Sequence, residues 1–238
     1  MAGEIIVSTI NGAGFDGGNV IINPEFTVNQ RAAASRTTTS SAYNYDRWYY
    51  DGTNLLQGVE GNNLRAGTYV ISWEGSSTAA YSLNDAAASG QGSESYASVS
   101  NGGTITIASV GSDNLWLKFT SDLTNLTKVK LTPGTQASAF VPRPYGTELA
   151  LCQRYYELGF SSFYIGVTNT YQYSVPVFYK VVKRATPTVA GVNNANLGFP
   201  TTFTVSDSNT NGFMQYRIAN ATRADGSFSI NWTASIEL

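Results

Sequence analysis

The stretch AFVPRPYGTELALCQRYYELG, residues 139–159, decides the architecture, because the sequence on each side of it has the pattern of a separate β domain. Pro142 and Pro144 lie in its first part, and each proline fixes φ and removes a backbone hydrogen-bond donor. A proline is not accommodated in the interior of a sheet. This part of the stretch is therefore predicted to be an extended, ordered connector that acts as a stiff hinge.

The second part of the stretch, residues 147–157, is the best helix candidate in the chain. Side chains of one face recur there at steps of three and four residues, namely Leu149, Cys152 and Tyr156. Thr147 or Gly146 can cap the first turn, and Gly159 is placed to end the helix after about three turns. Cys152 is the single cysteine, and its position on this face predicts a buried structural thiol rather than a nucleophile.

Strand patterns fill the rest of the chain, so the predicted fold class is all-β. Between residues 20 and 141, roughly seven or eight short strands at turn-rich intervals predict a jelly-roll-like β-sandwich. After the connector and helix, assigned to residues 142–159, strands rich in Tyr, Phe and Val predict a small C-terminal β domain at residues 160–238. Residues 1–19 are glycine-rich and predict a flexible N-terminal segment, with a first strand plus a loop as the alternative.

The densest aromatic cluster supplies two candidate binding residues. In YNYDRWYY, residues 43–50, alternation places Trp48 and Tyr50 on one face, with Trp48 in the core, and Arg47 and Tyr49 on the other face. Arg47 and Tyr49 are therefore candidates for a ligand surface. The structural alternative is an ion pair of Arg47 with Asp46, or a hydrogen bond from Asp46 to a turn.

A later strand supplies the third candidate. In NLWLKFT, residues 114–120, the same rule points Leu115, Leu117 and Phe119 inward and Trp116 and Lys118 outward. The large apolar face of an outward tryptophan is unfavourable in water, so the ring needs a partner. Three explanations stay open for Trp116: it stacks on a sugar, a loop covers it, or another subunit covers it.

The amino-acid composition argues against several classes of function. Charged residues make up 13% of the chain, the formal net charge is −2 and no Lys/Arg cluster occurs, so a nucleic-acid partner is not expected. No histidine is present, which excludes Ser-His-Asp and Cys-His nucleophile systems and histidine metal sites. Glycoside hydrolysis would need paired carboxylates, but the acidic residues are scattered over turns, so we expect no enzyme and no cofactor. A structural cation held by turn oxygens, such as those of Asp51 and Asn54, stays open.

Four segments together carry a resemblance to a known family. They are NPEFTVNQRAAA (residues 23–34), YNYDRWYY (43–50), FVPRPYGTELALCQRYYE (140–157) and WTASIEL (232–238). In this order they resemble a recurring module of bacteriophage tail-fibre and other virion surface proteins. In that family a jelly-roll-like sandwich, similar to carbohydrate-binding modules, is joined through this connector to a small C-terminal β domain.

The resemblance implies a function and a location. It implies a virion structural protein made in the host cytoplasm, in particular a tail-fibre or receptor-binding component that recognises host cell-surface carbohydrate, with Trp116, Tyr49 and Arg47 as the candidate site. It also implies contacts with other virion proteins and a homotrimer. The alternative is a capsid decoration, head-fibre or baseplate protein without glycan binding. Membrane insertion is not expected, since no apolar run approaches the roughly 18 residues of a membrane span.

Overall fold

The computed structural model describes residues 18–109 and 113–238, and it is mostly β, as predicted. Those residues form fifteen strands, one α-helix and two short 3-10 helices, Gly61–Asn63 and Ala88–Ser93. Most of the predicted N-terminal segment, residues 1–17, lies outside the described part of the chain. The chain divides into two units: the first runs up to Glu148 and also contains Leu238, and the second is Leu149–Glu237.

The first unit contains two antiparallel sheets. Its nine strands are β1 (Ala42–Tyr45), β2 (Trp48–Tyr50), β3 (Leu55–Val59), β4 (Gly67–Glu74), β5 (Thr78–Asn84), β6 (Ala97–Val99), β7 (Thr104–Ile107), β8 (Asn114–Thr120) and β9 (Thr127–Pro133). A six-stranded sheet has the order β1-β2-β3-β8-β5-β6, and a three-stranded sheet has the order β7-β4-β9.

One hydrophobic core lies between these two sheets, which makes the first unit a β-sandwich, as predicted. Buried members of this core on the six-stranded sheet include Trp48, Leu55, Leu115, Leu117 and Phe119, and those on the three-stranded sheet include Tyr69, Ile71, Ile105, Val129 and Leu131. Alternation in the sequences of β4, β7, β8 and β9 predicts these same inward residues. The sequence GTNLLQGVEGNNLRAG, residues 52–67, predicts a turn-rich stretch, and this is wrong at Leu55–Val59, which is a strand buried along its whole length.

The pattern of residues 20–28 predicts two short strand pieces broken at Pro24, but these residues form no strand and make a turn instead. Asn23 and Phe26 have φ angles of 56° and 58°, in the left-handed region that a strand does not use. The Asn23 side-chain amide donates to the backbone oxygens of Val28 and Asp46 at 2.8 and 3.0 Å. The Trp48 indole donates to the Asn23 carbonyl at 2.9 Å. The NPEF motif therefore has a structural role, because the buried Asn23 holds this turn in place by hydrogen bonds.

The connector residues 139–144 form no strand, as predicted. An ion pair and hydrogen bonds of Arg143 hold them in place. Arg143 and Glu148 form a buried ion pair with an N–O distance of 2.9 Å. Arg143 also donates to the backbone oxygens of Asn19 and Ile21, and Glu148 accepts the backbone N–H of Asn23. These contacts join two of the sequence motifs within the first unit.

Helix α1 is Tyr145–Gln153, two residues earlier at its start than the predicted range. It begins early because the Pro144 carbonyl accepts the N–H groups of Thr147 and Glu148 at 3.0 and 3.1 Å. Proline is well suited to the start of a helix, since its φ is already helical. Cys152 is fully buried, as predicted.

The helix also ends earlier than predicted, because the chain enters a strand at Tyr156. Gly159 was predicted to end the helix, and this was wrong. It lies inside the strand, where an added Cβ would be 2.3 Å from the ring of Trp232. Glycine is needed there to let the indole approach the backbone.

The second unit contains two antiparallel sheets of three strands each. Its strands are β10 (Tyr156–Val167), β11 (Gln172–Phe178), β12 (Thr188–Leu197), β13 (Thr204–Ser206), β14 (Gly212–Ile218) and β15 (Arg223–Ser235), in the orders β10-β15-β12 and β11-β14-β13. Alternation in the last strand predicts that Phe228, Ile230, Trp232 and Ala234 share one face, and all four are buried. Pro176 predicts an edge position for its strand, and β11 is an edge strand.

Candidate functional site

The outer face of the six-stranded sheet, opposite the core, has a covered half and an open half. The register of β8 decides which residues share this face: Trp116 pairs with Gly58 of β3 and Ser82 of β5, and Lys118 pairs with Leu56 and Ala80. Residues paired in this way project from the same side of a sheet. Trp116 and Lys118 therefore lie on the same, outer side of the sheet, the first in the covered half and the second in the open half.

The covered half is a second hydrophobic cluster built on Trp116. Tyr49, Leu56, Ala88 and Trp116 are buried in it, with Tyr43, Tyr96 and Leu238 packed against them. Trp116 has no exposed surface, although its neighbours on β8 show that it points away from the main core. Of the three explanations left open, covering by the chain itself is the one observed, through Ala88 of the second 3-10 helix and Leu238.

Close packing accounts for the covering of Trp116. A Cβ added to Gly58 would lie 3.0 Å from the Trp116 ring and 2.9 Å from a Leu238 methyl carbon. The Tyr43 hydroxyl donates to the Leu238 carbonyl at 2.8 Å. The expectation that Trp116 presents its ring to a sugar was therefore wrong, since no face of the ring is accessible.

Arg47 and Tyr49 are also withdrawn from solvent, which contradicts their assignment to a ligand surface. Arg47 is 1% exposed and Tyr49 is 6% exposed. Arg47 lies in the turn between β1 and β2 with φ of 70°, and its Nη2 donates to the Gly58 carbonyl at 2.6 Å. The Tyr49 ring packs edge-on against Tyr43, with centroids 5.2 Å apart. Asp46 accepts hydrogen bonds from the backbone and side chain of Gln30, so the second structural alternative is close to what is observed.

The open half is a solvent-facing groove of about 590 Å³ beside this cluster. It is lined by β5, β6, β8 and the residues on either side of β6, and its polar or aromatic members are Thr78, Tyr96, Ser98, Ser100, Lys118 and Thr120. We call this surface the Lys118 groove.

Lys118 and Tyr96 form the defined centre of the Lys118 groove. The Lys118 ammonium lies 3.9 Å from the centroid of the Tyr96 ring, a cation–π contact. No carboxylate among the described residues pairs with this ammonium. The N–H donors of Lys118 are therefore available to a ligand.

The Tyr96 ring is held in place by buried polar groups. Its hydroxyl donates to Gln91 Oε1 at 2.6 Å, and Gln91 Nε2 donates to Asn84 Oδ1 at 2.8 Å. Burial raises the pKa of the Tyr96 phenol, and the nearby carboxylates of Glu94 and Asp51 raise it further. Tyr96 is therefore a neutral, fixed wall of the groove at physiological pH.

The groove can hydrogen-bond a hydroxylated ligand against an aromatic wall. Lysine contributes donors only, whereas the Ser98 hydroxyl can both donate and accept. The Thr78 and Thr120 hydroxyls donate to the Thr120 carbonyl and to Asn54 Oδ1, so toward a ligand they act as acceptors. Alternation predicted Lys118 as an outward residue. Tyr96 was missed, since it precedes a strand of three residues and only the fold brings it over Lys118.

A metal site and a membrane-spanning helix are two further features that a chain of this kind could contain. Among residues 18–109 and 113–238, no group of three or more Cys, Asp or Glu side chains is arranged to hold a metal ion. Within the same ranges, no helix has both the length and the apolar character needed to cross a membrane.

Comparisons with known proteins give no family. No protein-family model matches the chain, and no curated protein matches it. The chain is similar to the wild-type discoidin II of Dictyostelium discoideum, with 8% identity, 94% of this chain and 93% of that chain covered, and a TM-score of 0.29. The native recombinant discoidin II of the same organism gives 9% identity, 92% coverage of each chain and a TM-score of 0.28. Likeness at this level transfers neither fold nor function.

Proposed function

We propose that the chain is a non-enzymatic bacteriophage virion protein, a tail-fibre or receptor-binding component that recognises host cell-surface carbohydrate through the Lys118 groove. The four sequence motifs support the place in the virion. The observation that carries the binding role is the ammonium of Lys118 set 3.9 Å from the Tyr96 ring centroid in a hydroxyl-lined groove. Sugars present hydroxyls at their edges, and the Lys118 ammonium and the Ser98 hydroxyl of this groove offer hydrogen-bond partners to them.

The proposal contains no catalytic step. Glu148 and Glu157, two buried carboxylates of the described residues, pair with Arg143 and Lys183 at 2.9 and 2.5 Å. Each of these carboxylates is engaged by a buried cation, so neither is placed to act on a substrate. A glycoside hydrolase needs two acids that flank the scissile bond.

Binding at one groove is expected to be weak and to be strengthened by repetition. The Lys118 groove is shallow and faces solvent, so a single sugar loses only part of its hydration there. Several copies of the groove on one assembly would raise the overall avidity without any new contact. A homotrimer, the assembly that the resemblance implies, would present three.

The test replaces one lysine at a time. Lys118→Ala is expected to weaken binding of an array-selected oligosaccharide by roughly 10-fold or more, because a hydrogen bond to a charged donor is lost. Lys128→Ala is the matched control, since Lys128 lies on the other sheet of the same unit and pairs with Glu74 in solvent at 2.9 Å. Titration calorimetry with both variants and the wild type gives the comparison.

Two outcomes decide against this function. Equal weakening by Lys118→Ala and Lys128→Ala would show that the groove is not the site. A wild-type protein that binds neither neutral nor acidic oligosaccharides at millimolar concentration would remove carbohydrate recognition altogether. Unchanged melting temperatures of both variants serve as the folding control.

The second candidate function is structural: a capsid decoration, head-fibre or baseplate protein in which the sandwich is only a rigid building block. One observation favours it, namely several exposed aromatic and aliphatic side chains on the second unit, among them Phe160, Tyr164 and Val192. Exposed apolar patches of this kind mark association surfaces. Intact assembly without any carbohydrate binding would support this candidate over the first.

A further inference from the structure

The outer side of the β10-β15-β12 sheet in the second unit has a wide uncharged surface, which lies beyond the exposed Arg223–Asp225 ion pair at the start of β15. Phe228, Ile230 and Trp232 of the central strand β15 point into the core, so the intervening residues of β15 point out. The register then places the following residues on the outer side: Leu158, Phe160, Ser162 and Tyr164 from β10, Ser227, Ser229, Asn231 and Thr233 from β15, and Ala190, Val192, Ala195 and Leu197 from β12. We call these residues the β15 face.

Large apolar side chains flank a polar centre on the β15 face. Phe160 is 60% exposed, Tyr164 75% and Val192 71%. Phe160 and Val192 lie on either side of Asn231, because each pairs with it across the sheet. The central strand presents only hydroxyls and one amide, and the Asn231 amide donates to Asn194 Oδ1 at 3.1 Å.

Charge is absent from the β15 face. Residues 158–164, 190–197 and 227–233 contain no Asp, Glu, Lys or Arg. Glu157, beside the face in sequence, is 1% exposed and pairs with the buried Lys183 instead. A charged partner or an anionic membrane therefore finds no complementary group on this surface.

A second copy of the same face is complementary to it. Hydroxyl and amide groups both donate and accept hydrogen bonds, so the polar centre can pair with its own symmetry mate. The apolar flanks would be removed from water at the same time. Depletion of charge with enrichment of Tyr and Phe is also the composition of an interface centre.

The size of the β15 face fits an association surface. Taking about 200 Å² for a whole aromatic side chain, the exposed parts of Phe160 and Tyr164 offer roughly 250 Å². A standard interface buries about 800 Å² on each partner. The two rings would supply about a third of that area, and the other ten residues of the face lie around them.

We propose that the β15 face is the interface through which copies of this chain associate. A face that pairs with itself across a two-fold axis joins two copies, so this contact goes beyond the homotrimer expectation in the proposed function and does not depend on it. It is independent of the Lys118 groove, which belongs to the first unit.

Two phenylalanine substitutions test the interface. Phe160→Asp puts a carboxylate on the β15 face and is expected to raise the dissociation constant of the assembly by about 30-fold or more, as at an interface hot spot. Phe178→Asp is the matched control, since Phe178 is 77% exposed on the edge strand β11 of the other sheet. Sedimentation equilibrium over a wide concentration range measures both, with circular dichroism as the folding control.

The proposal predicts an associated wild type, an associated Phe178→Asp variant and a Phe160→Asp variant that dissociates. A wild type that is monomeric at every concentration would overturn it, as would equal masses for the two variants. Binding of zwitterionic phosphatidylcholine vesicles by a monomeric wild type, lost in Phe160→Asp, would assign the face to lipid instead. None of these readouts depends on carbohydrate binding, so failure here and failure of the ligand site are distinguishable.

Discussion

Trp116→Ala is expected to lower the free energy of unfolding of the first unit by about 3 to 5 kcal/mol. The reason is that Trp116 is completely buried beneath Ala88 and Leu238, so its removal leaves a cavity between the sheet and its cover. The loss combines the transfer energy of the indole with the cost of that cavity. An exposed ring that merely contacted a sugar would cost far less to remove.

Chemical denaturation with hydrogen exchange measures this effect, because exchange reports which unit opens. Trp116→Phe is the matched variant: it keeps most of the apolar volume, and it removes an indole N–H that has no hydrogen-bond partner in the structure. We expect Trp116→Phe to cost clearly less than Trp116→Ala. Loss of carbohydrate binding in a Trp116→Ala protein of unchanged stability would contradict the buried position.

Glu157→Ala is expected to destabilise the second unit by about 3 to 5 kcal/mol, because it leaves a buried lysine without its counter-charge. Glu157 and Lys183 side chains are 1% and 0% exposed, and their N–O distance is 2.5 Å. Burial is the main influence on the Lys183 pKa and lowers it, while Glu157 opposes the shift. The Lys183 ammonium also donates to the Gln153 carbonyl.

The double variant Glu157→Leu with Lys183→Met separates a charge effect from a packing effect. Replacing both charges by apolar groups of similar size is often neutral for stability, whereas removing one is not. The double variant is therefore expected to recover most of the stability lost in Glu157→Ala, and urea denaturation measures each. Glu157→Ala unfolding at the same urea concentration as the wild type would show that the pair does not stabilise the unit.

Alternation predicted which face each strand residue belongs to, but it did not predict what covers that face. Trp116 was correctly placed opposite Leu115 and Leu117, yet it is buried by residues far away in the sequence, Ala88 and Leu238. Strand β3 was not predicted, because both of its faces are buried and its five residues show no alternation. These errors share one cause, since coverage depends on long-range contacts that a local period does not encode.

Backbone conformation was the second feature that residue patterns missed. Asn23 and Arg47 adopt positive φ angles of 56° and 70°. Asn23 lies in a turn where two short strand pieces were predicted, and Arg47 interrupts the predicted alternation of residues 43–50. Asparagine is tolerant of this conformation, so Asn23 before a proline was the available signal. Arg47 offered no such signal, because its turn is held by a hydrogen bond to Gly58 across the sheet.

Of the two residues at the centre of the candidate site, Lys118 was predictable from the sequence and Tyr96 was not. Lys118 was placed outward by alternation, and the structure confirms that its side chain lines a groove on the outer face. Tyr96 was not predictable as its partner, because the ring is positioned by a hydrogen bond to the buried Gln91. The densest aromatic cluster favoured Tyr49, and outward alternation favoured Trp116, but both side chains are buried in packing contacts.

Lysine methyl NMR shows whether the Lys118 groove is the ligand surface. The chain has five lysines, of which Lys130 and Lys183 are buried, so ¹³C-dimethylated lysine signals are few. Titration with an array-selected oligosaccharide is predicted to shift the Lys118 signal in a saturable manner and to leave the Lys128 signal in place. Saturable binding that moves the Lys128 or Lys180 signal while Lys118 stays unchanged would contradict the account.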